Sequence, residues 1–233
     1  MAALTNIPFE LDAEAIIKRL HLEPGTDEAG EFEQLLSKAR ALAKPKALYK
    51  ECFIEAKGQE TVTIEGVTFT SRALRINLEE AERLFPFIAT CGHELDQLPL
   101  PAGDLLGRFW LDTVKSALLG FAREHLNRHL SGKFALGKTS TMSPGSGDAA
   151  VWPIQQQQEL FAVLGNVKEQ IGVELTDSFL MTPNKTVSGV RFPTEVDFRS
   201  CQLCHREVCL SRAAPFDGKL WESMQHQAGH PES

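Results

Sequence analysis

Two short runs of β-branched residues around a glycine turn constrain the fold more than any other feature of the sequence. Thr61-Val62-Thr63-Ile64 and Val67-Thr68-Phe69-Thr70 flank Glu65-Gly66, an arrangement typical of a β-hairpin. The apolar run from Leu84 to Gly92 predicts a buried strand, in which Pro86 requires that its amide side be unpaired. The chain therefore contains β-structure that pairs at least in part through tight turns.

Helical spacing of apolar residues alternates with these strands along the chain. It predicts helices over residues 12–22, 31–43, 109–130 and 154–170. The stretch 138–147 is rich in Ser, Thr, Gly and Pro, so we expect a loop there. Helices and strands together predict an α+β fold, with an antiparallel sheet, surrounding helices and an N-terminal helical and hairpin region.

Composition excludes several classes of function. The 233 residues are 42% apolar, which is enough to build a core. A formal charge of −7 without a cluster of Lys and Arg disfavours a nucleic-acid partner. The apolar runs are far shorter than the roughly 20 residues of a membrane span, and the N-terminus lacks a basic segment followed by an apolar one. We therefore expect a cytoplasmic protein that does not associate with membranes.

Three segments between residues 141 and 190 occur in an informative order. The first is a Pro-Gly turn and the second is a helix with Glu159-Leu160-Phe161. The third holds Thr176-Asp177-Ser178, Met181, Pro183 and Val187-Ser188-Gly189. This order resembles the activation, or reactivation, domain of cobalamin-dependent methionine synthase, in which an Ala-Pro-Gly-Tyr loop precedes a helix and a Leu-Thr-Glu-Ser…Met…Pro…Val-Ser-Gly segment.

The resemblance implies both a fold and a function. It implies an activation-domain-like core over 101–200, an integrated N-terminal region of helices, hairpin and strand over 1–100, and a cysteine-cluster segment and tail over 201–233. It also implies binding of S-adenosylmethionine, reductive remethylation of oxidised cobalamin, and docking on a corrinoid-carrying or methyltransferase protein. Cobalamin would then be held by the partner.

The same resemblance gives candidate ligand-binding residues, namely Ser143, Pro144, Gly145, Asp148, Thr176 and Ser178. Backbone groups of a Pro-Gly turn could contact a nucleoside or an amino-acid portion. Each candidate also has a plain structural interpretation. The turn could be only a turn, Asp148 could cap the following helix, and the two hydroxyls could satisfy backbone groups.

Two positions depart from the family pattern. Thr141 and Ser146 stand where the family's Arg-Pro-Ala-Pro-Gly-Tyr loop has the arginine and the tyrosine that help to hold the ligand. Their loss removes a charge-assisted hydrogen bond worth about 1.5–3 kcal/mol and an aromatic contact worth about 0.5–1.5 kcal/mol. We therefore expect any S-adenosylmethionine binding to be weak.

Three of the five cysteines lie within nine residues, as Cys201, Cys204 and Cys209. This spacing is poor for disulfides and allows three thiolates to reach one metal. Thiolate ligands suit an iron–sulfur cluster or zinc, and only the cluster could supply the low-potential electron that cobalt reduction needs. The fourth ligand could be Cys91, Cys52, His205 or an exogenous molecule. Ordinary reduced cysteines are the alternative.

Two functional hypotheses follow. In the first, the chain is an accessory protein for reductive reactivation of a cobalamin- or corrinoid-dependent methyltransferase. It binds S-adenosylmethionine and carries an iron–sulfur centre. In the second, it is a non-catalytic, metal-bound docking module for a corrinoid or methyltransferase protein. The chain shows no cobalamin-binding or homocysteine-binding module, so we do not expect a complete methionine synthase. An independent methyltransferase is disfavoured because no Gly-rich nucleotide loop follows a strand.

Overall fold

The computed structural model describes residues 1–148, 151–209 and 212–225, with side chains as far as residue 222. Residues 226–233 of the expected tail lie outside these ranges. The strands are, in chain order, β1 (Ala2–Leu4), β2 (Lys46–Tyr49), β3 (Cys52–Phe53), β4 (Ala56–Lys57), β5 (Thr61–Ile64), β6 (Val67–Thr70), β7 (Arg83–Thr90), β8 (Thr139–Met142), β9 (Glu174–Leu175), β10 (Met181–Thr182) and β11 (Thr186–Pro193). The helices are α1 (Ala13–Arg19), α2 (Asp27–Leu42), α3 (Arg72–Asn77), α4 (Leu105–Phe134), α5 (Gln157–Leu164), α6 (Val167–Ile171) and α7 (Gly218–Gln225). Single 3₁₀ turns cover Glu94–Gln97, Ile154–Gln156 and Ser200–Leu203.

An antiparallel sheet forms the centre of the molecule. Its strands lie in the order β1-β2-β7-β11-β8, and β3 also pairs with β7. The hairpin predicted around Glu65-Gly66 joins β5 to β6 and belongs to a separate three-stranded sheet with β4. Both turn residues have positive φ, 51° and 72°, as a two-residue turn of this kind requires. The α+β prediction is confirmed.

Pro86 lies inside β7, a central strand, and the ladder accommodates it by a local break. The N–H of Lys50 donates to the carbonyl of Pro86 at 3.0 Å, but the proline has no N–H to return the bond. Regular pairing stops at Tyr49 opposite Phe87 and resumes at Cys52 opposite Leu84. The missing amide therefore separates β2 from β3.

Helix α4 covers one face of the central sheet. It begins where the Asp104 carboxylate accepts the N–H of Gly107 at 2.7 Å and ends at Ala135 in the left-handed conformation. The first half of α4 packs on α1 and α2, and the second half packs on the sheet. Its contacts with the sheet are made by Ala122, Leu126 and Leu130 against Tyr49, Phe85, Phe87 and Ala89.

The opposite face of the sheet packs against the remaining helices and the three-stranded sheet. Leu48, Ile88, Val190 and Phe192 share this core with residues of α3, α5 and α6 and of β5 and β6. Within the described ranges, no helix combines the length and the apolar composition that a membrane span needs.

Two predicted elements need correction. The stretch 138–147 is not a loop throughout, because Thr139–Met142 forms the edge strand β8 against β11. The single helix predicted over 154–170 is a 3₁₀ turn followed by α5 and α6, separated at Gly165, whose φ is 70°. A positive φ cannot continue a helix, so the two apolar faces are set at different angles.

Candidate functional site

The Pro-Gly turn leaves the sheet at the end of β8 and is fixed to the core at its centre. Pro144 is buried, and the N–H of Gly145 donates to the carbonyl of Trp152 at 2.8 Å. Gly145 has a φ of 75°, and a Cβ at this position would lie 2.9 Å from the Ile154 side chain. The turn therefore needs glycine both for its conformation and for space.

Trp152 holds the segment that follows the turn. Its side chain is completely buried and meets Phe69 edge-on, with the ring centroids 5.8 Å apart. The Ser71 hydroxyl donates to the carbonyl of Val151 at 2.6 Å. The Gln156 side-chain amide bonds both the N–H and the C=O of Thr70, at the end of β6. The segment after the turn is therefore fastened to the three-stranded sheet.

The Val-Ser-Gly segment of β11 lies directly against the turn. A Cβ on Gly189 would overlap the carbonyl oxygen of Met142 and lie 2.6 Å from the Ser143 hydroxyl oxygen. Only a residue without a side chain lets the chain pass over β11 at this point. The two motifs that carry the resemblance, Pro144-Gly145 and Val187-Ser188-Gly189, thus lie next to each other, because Gly189 packs against the two residues that precede Pro144.

A buried hydrogen bond ties the same strand to the helix after the turn. The Ser188 hydroxyl donates to the Gln157 side-chain oxygen at 2.7 Å, and both residues are almost fully buried. Removing one of the two side-chain groups would leave a buried polar atom without a hydrogen bond, at a cost of about 1–3 kcal/mol. This bond fixes the start of α5 relative to the turn.

The structure also brings the turn next to the cysteine segment. The Asp148 carboxylate lies 3.2 Å from Nδ1 of His205, and a Cβ on Gly147 would lie 3.1 Å from the carbonyl oxygen of Ser200. The His205 ring packs against Phe216 and Trp221, with centroid distances of 4.5 and 4.3 Å. Asp148 therefore faces this segment. The sequence interpretations, a ligand contact or a helix cap, did not include this contact.

The three clustered cysteines do not converge. Within the described ranges, no three His, Cys, Asp or Glu side chains form a group that could hold a metal ion. The centre of the segment is instead occupied by the Arg212 guanidinium, which donates to the carbonyls of Cys201, Cys204 and Arg206. Cys201 Sγ accepts the N–H of Ala213 at 3.4 Å. The described side chains therefore do not form the predicted three-thiolate site, and the backbone of this segment surrounds the Arg212 guanidinium.

Cys91 and Cys52, the more distant candidate ligands, are buried in the core as free thiols. Burial raises the pKa of Cys91 to about 11 and that of Cys52 to about 12. Metal binding needs the thiolate, which burial in apolar surroundings disfavours. Cys91 packs with residues of α2 and α4, and neither thiol joins the clustered cysteines in a metal-binding group of the described residues.

Thr176 and Ser178 lie in the turn between β9 and β10. Their hydroxyl oxygens are 3.0 Å apart, and the Thr176 hydroxyl accepts the N–H of Leu180 at 3.1 Å. Both side chains are exposed or half-buried and stabilise their own turn, as such hydroxyls often do. In the part of the chain that the structure describes, no hydrogen bond links them to the Pro-Gly turn.

One residue near the turn was missed by the sequence analysis. Arg191 lies on β11 opposite Thr141, and one of its Nη atoms donates to the Asn127 side-chain oxygen on α4. The strand alternation could have found it, because Arg191 is two residues beyond Gly189 and shares its face. Arg191, which does not belong to the Pro-Gly motif, therefore lies opposite Thr141, two residues before Ser143.

These features define an α+β domain with a fixed turn at the edge of an antiparallel sheet. Residues 113–205 match the family described as "Vitamin B12 dependent methionine synthase, activation domain". The solved structure described as "Crystal Structure of the MetH Reactivation Domain bound to AdoHcy" matches with a TM-score of 0.57 and 14% identity. The match covers 86% of this chain and 81% of that chain. A search of the curated proteins gave no match. The chain thus resembles the activation domain of cobalamin-dependent methionine synthase in its motifs and has the fold of that domain.

Proposed function

We propose that this chain takes part in the reductive reactivation of a cobalamin- or corrinoid-dependent methyltransferase, which it meets as a separate partner. S-adenosylmethionine would bind along the turn 143–148 and supply the methyl group. A reductant would supply the electron to the partner's cobalt. The single observation that carries the proposal is the unit formed by the turn and Gly189, within the segment that matches the activation-domain family.

The geometry of the turn supports a ligand role. Gly145 is held by its hydrogen bond to Trp152 and packs closely on Ile154, while Gly145 and Ser146 remain exposed. A rigid backbone whose exposed groups are already oriented loses little entropy when a ligand binds. The solved neighbour, whose fold this chain shares, was crystallised with AdoHcy.

The departures at Thr141 and Ser146 set the expected affinity. A short hydroxyl side chain at each position cannot provide the guanidinium fork or the aromatic ring of the family pattern. The combined loss of about 2–4.5 kcal/mol corresponds to about 30- to 2000-fold in the dissociation constant. We therefore propose binding that is weaker than micromolar.

An iron–sulfur or zinc centre is not part of the proposed mechanism. In the segment that would hold it, Cys201 to Cys209, the described side chains do not come together as a group that could hold a metal ion. We assign the electron to a reductant outside this chain.

The second candidate is the non-catalytic docking module. The specific observation that favours it is the loss of both ligand-holding side chains in a fold that is otherwise retained. The same surface would then contact a corrinoid or methyltransferase protein without transferring a methyl group.

Calorimetric titration separates the two candidates. The reactivation proposal predicts saturable binding of S-adenosylmethionine and S-adenosylhomocysteine in the range from tens of micromolar to millimolar. It also predicts that the chain, with a chemical reductant, restores methylated cobalt on a corrinoid protein. No binding at 5 mM of either compound would refute the ligand role and leave the docking module.

The matched control is Gly132→Ala in α4. This change adds the same methyl group at a position where a Cβ would meet no described atom within 4 Å. Gly145→Ala introduces a side chain against Ile154 and distorts the turn. Affinity that is unchanged by Gly145→Ala, as it should be by Gly132→Ala, would mean that the ligand does not bind at the turn.

A further inference from the structure

Among the residues that the structure describes, Arg191 is a half-buried cation without an anionic partner. One Nη atom donates to Asn127, whereas Nε is buried and has no hydrogen-bond partner in the described part of the chain. Among the described residues, no carboxylate forms an ion pair with this guanidinium within 4.0 Å. Burial lowers the pKa of Arg191, because the surroundings solvate the charge poorly. A charge in this position is stabilised when an anion arrives.

The location of Arg191 connects it to the turn. It is directly opposite Thr141 on β8 and two residues beyond Gly189, so all three positions share one face of the sheet. The chain passes over Gly189 on this face as it enters the turn at Ser143. Asn127 of α4 closes the other side. Arg191 therefore stands between α4 and the turn, beside the exposed Thr141.

The chemistry of the Arg191 guanidinium indicates which anionic group of a ligand it would bind. An arginine presents parallel N–H groups that match a carboxylate in a two-bond geometry, and Asn127 holds one end of the fork in place. Thr141, its cross-strand neighbour, is exposed and has a short side chain. Cross-strand neighbours have Cβ atoms about 4.5–5.5 Å apart, so a long side chain on residue 191 reaches the region in front of residue 141.

We propose that Arg191 binds the carboxylate of the ligand's amino-acid portion, with the rest of the ligand lying along the turn. This inference rests on the proposed function, since it requires a ligand at the turn. Arg191 on β11 would thus supply a guanidinium in place of the arginine that the family pattern has at the position of Thr141. The residue positions the ligand and sets its specificity for an amino-acid end.

A structural role for Arg191 makes a different prediction. If the side chain only bridges β11 and α4 through Asn127, its removal lowers stability and changes the affinity for every ligand at the turn by the same factor. A carboxylate contact instead acts only on ligands that have the carboxylate. Two probes that differ in this group therefore distinguish the roles.

The experiment uses S-adenosylhomocysteine and 5′-methylthioadenosine, which share the nucleoside and the thioether but differ in the amino-acid portion. Affinities are measured by calorimetry for the full chain, for Arg191→Met and for Arg128→Met. Arg128 is an exposed arginine of α4 that pairs with Glu124, so its variant controls for net charge. We expect Arg191→Met to weaken the binding of S-adenosylhomocysteine by about 10- to 100-fold, which corresponds to the loss of one charge-assisted hydrogen bond.

The same variant should leave the dissociation constant of 5′-methylthioadenosine within about threefold of its value in the unaltered chain. Arg128→Met should change the affinity for neither probe. Equal weakening of both probes, or of neither, by Arg191→Met would overturn the inference while leaving the proposed function standing. Failure of the unaltered chain to bind either probe would overturn the proposed function itself. If Arg191→Met does not fold, Arg191→Lys, which keeps the charge but loses the fork, should still show selective weakening of S-adenosylhomocysteine.

Discussion

Gly189→Ala is the sharpest test of how the turn is held. The added Cβ would overlap the Met142 carbonyl oxygen and lie 2.6 Å from the Ser143 hydroxyl oxygen, so either the turn or β11 must move. Inserting one carbon into a packed site costs about 1–3 kcal/mol, and the reduced freedom of the unfolded chain returns about 0.4–1 kcal/mol. We expect a net loss of about 1–2 kcal/mol.

Urea denaturation measures this loss directly, and thermal unfolding should show a midpoint lower by about 2–8 °C for a chain of this length. The matched control is Gly132→Ala in α4, where a Cβ would meet nothing within 4 Å. Alanine favours a helix over glycine by about 0.5–1 kcal/mol, so this variant should be more stable. Equal unfolding free energies for the two variants would refute the steric argument for Gly189.

Three further predictions concern other parts of the molecule. Ser188→Ala leaves the buried Gln157 oxygen without its donor, and chemical denaturation should show a loss of about 1–3 kcal/mol; no loss would mean that Gln157 finds another partner. Burial lowers the pKa of His129, whose Nε2 lies 2.9 Å from the Tyr49 hydroxyl oxygen, because it disfavours the charged ring. The stability that this histidine contributes is therefore complete above the unfolded pKa and decreases as pH falls below about 6.5. His129→Gln should flatten that pH dependence, and an unchanged slope would exclude this histidine. Because no three metal-ligating side chains come together among the described residues, protein purified without oxygen should contain far less than one iron or zinc per chain; stoichiometric iron with sulfide would restore the iron–sulfur hypothesis.

Local patterns in the sequence predicted the elements whose stability is local. The β5–β6 hairpin was confirmed because a two-residue turn imposes its own pairing. Helix α4 was predicted over 109–130 but extends over Leu105–Phe134, since the Asp104 cap and the left-handed Ala135 fix its ends rather than the apolar period. Such end groups carry little periodic signal.

Elements that depend on distant partners were missed. Strand β8 looks like a loop in composition, and only its pairing with β11, about fifty residues later, makes it a strand. The same limit applies to the site. Spacing alone indicated three convergent thiolates, but it contains no information about Arg212, which occupies the carbonyls of their segment. The motif at the turn could be recognised from the sequence. The position of Arg191 could not, because it depends on the register of β11 against β8.

The Gln156 side chain has a consequence for how the molecule behaves in concentrated solution. Strand β6 is an edge of its three-stranded sheet, and an exposed edge invites strands of other molecules to add to it. The primary amide of Gln156 bonds the outward N–H and C=O of Thr70 in the way that a neighbouring peptide group would. The Gln156 hydrogen bonds that hold the segment after the Pro-Gly turn thus also occupy the last pairing position of this edge. A variant without the amide would expose that position to self-association.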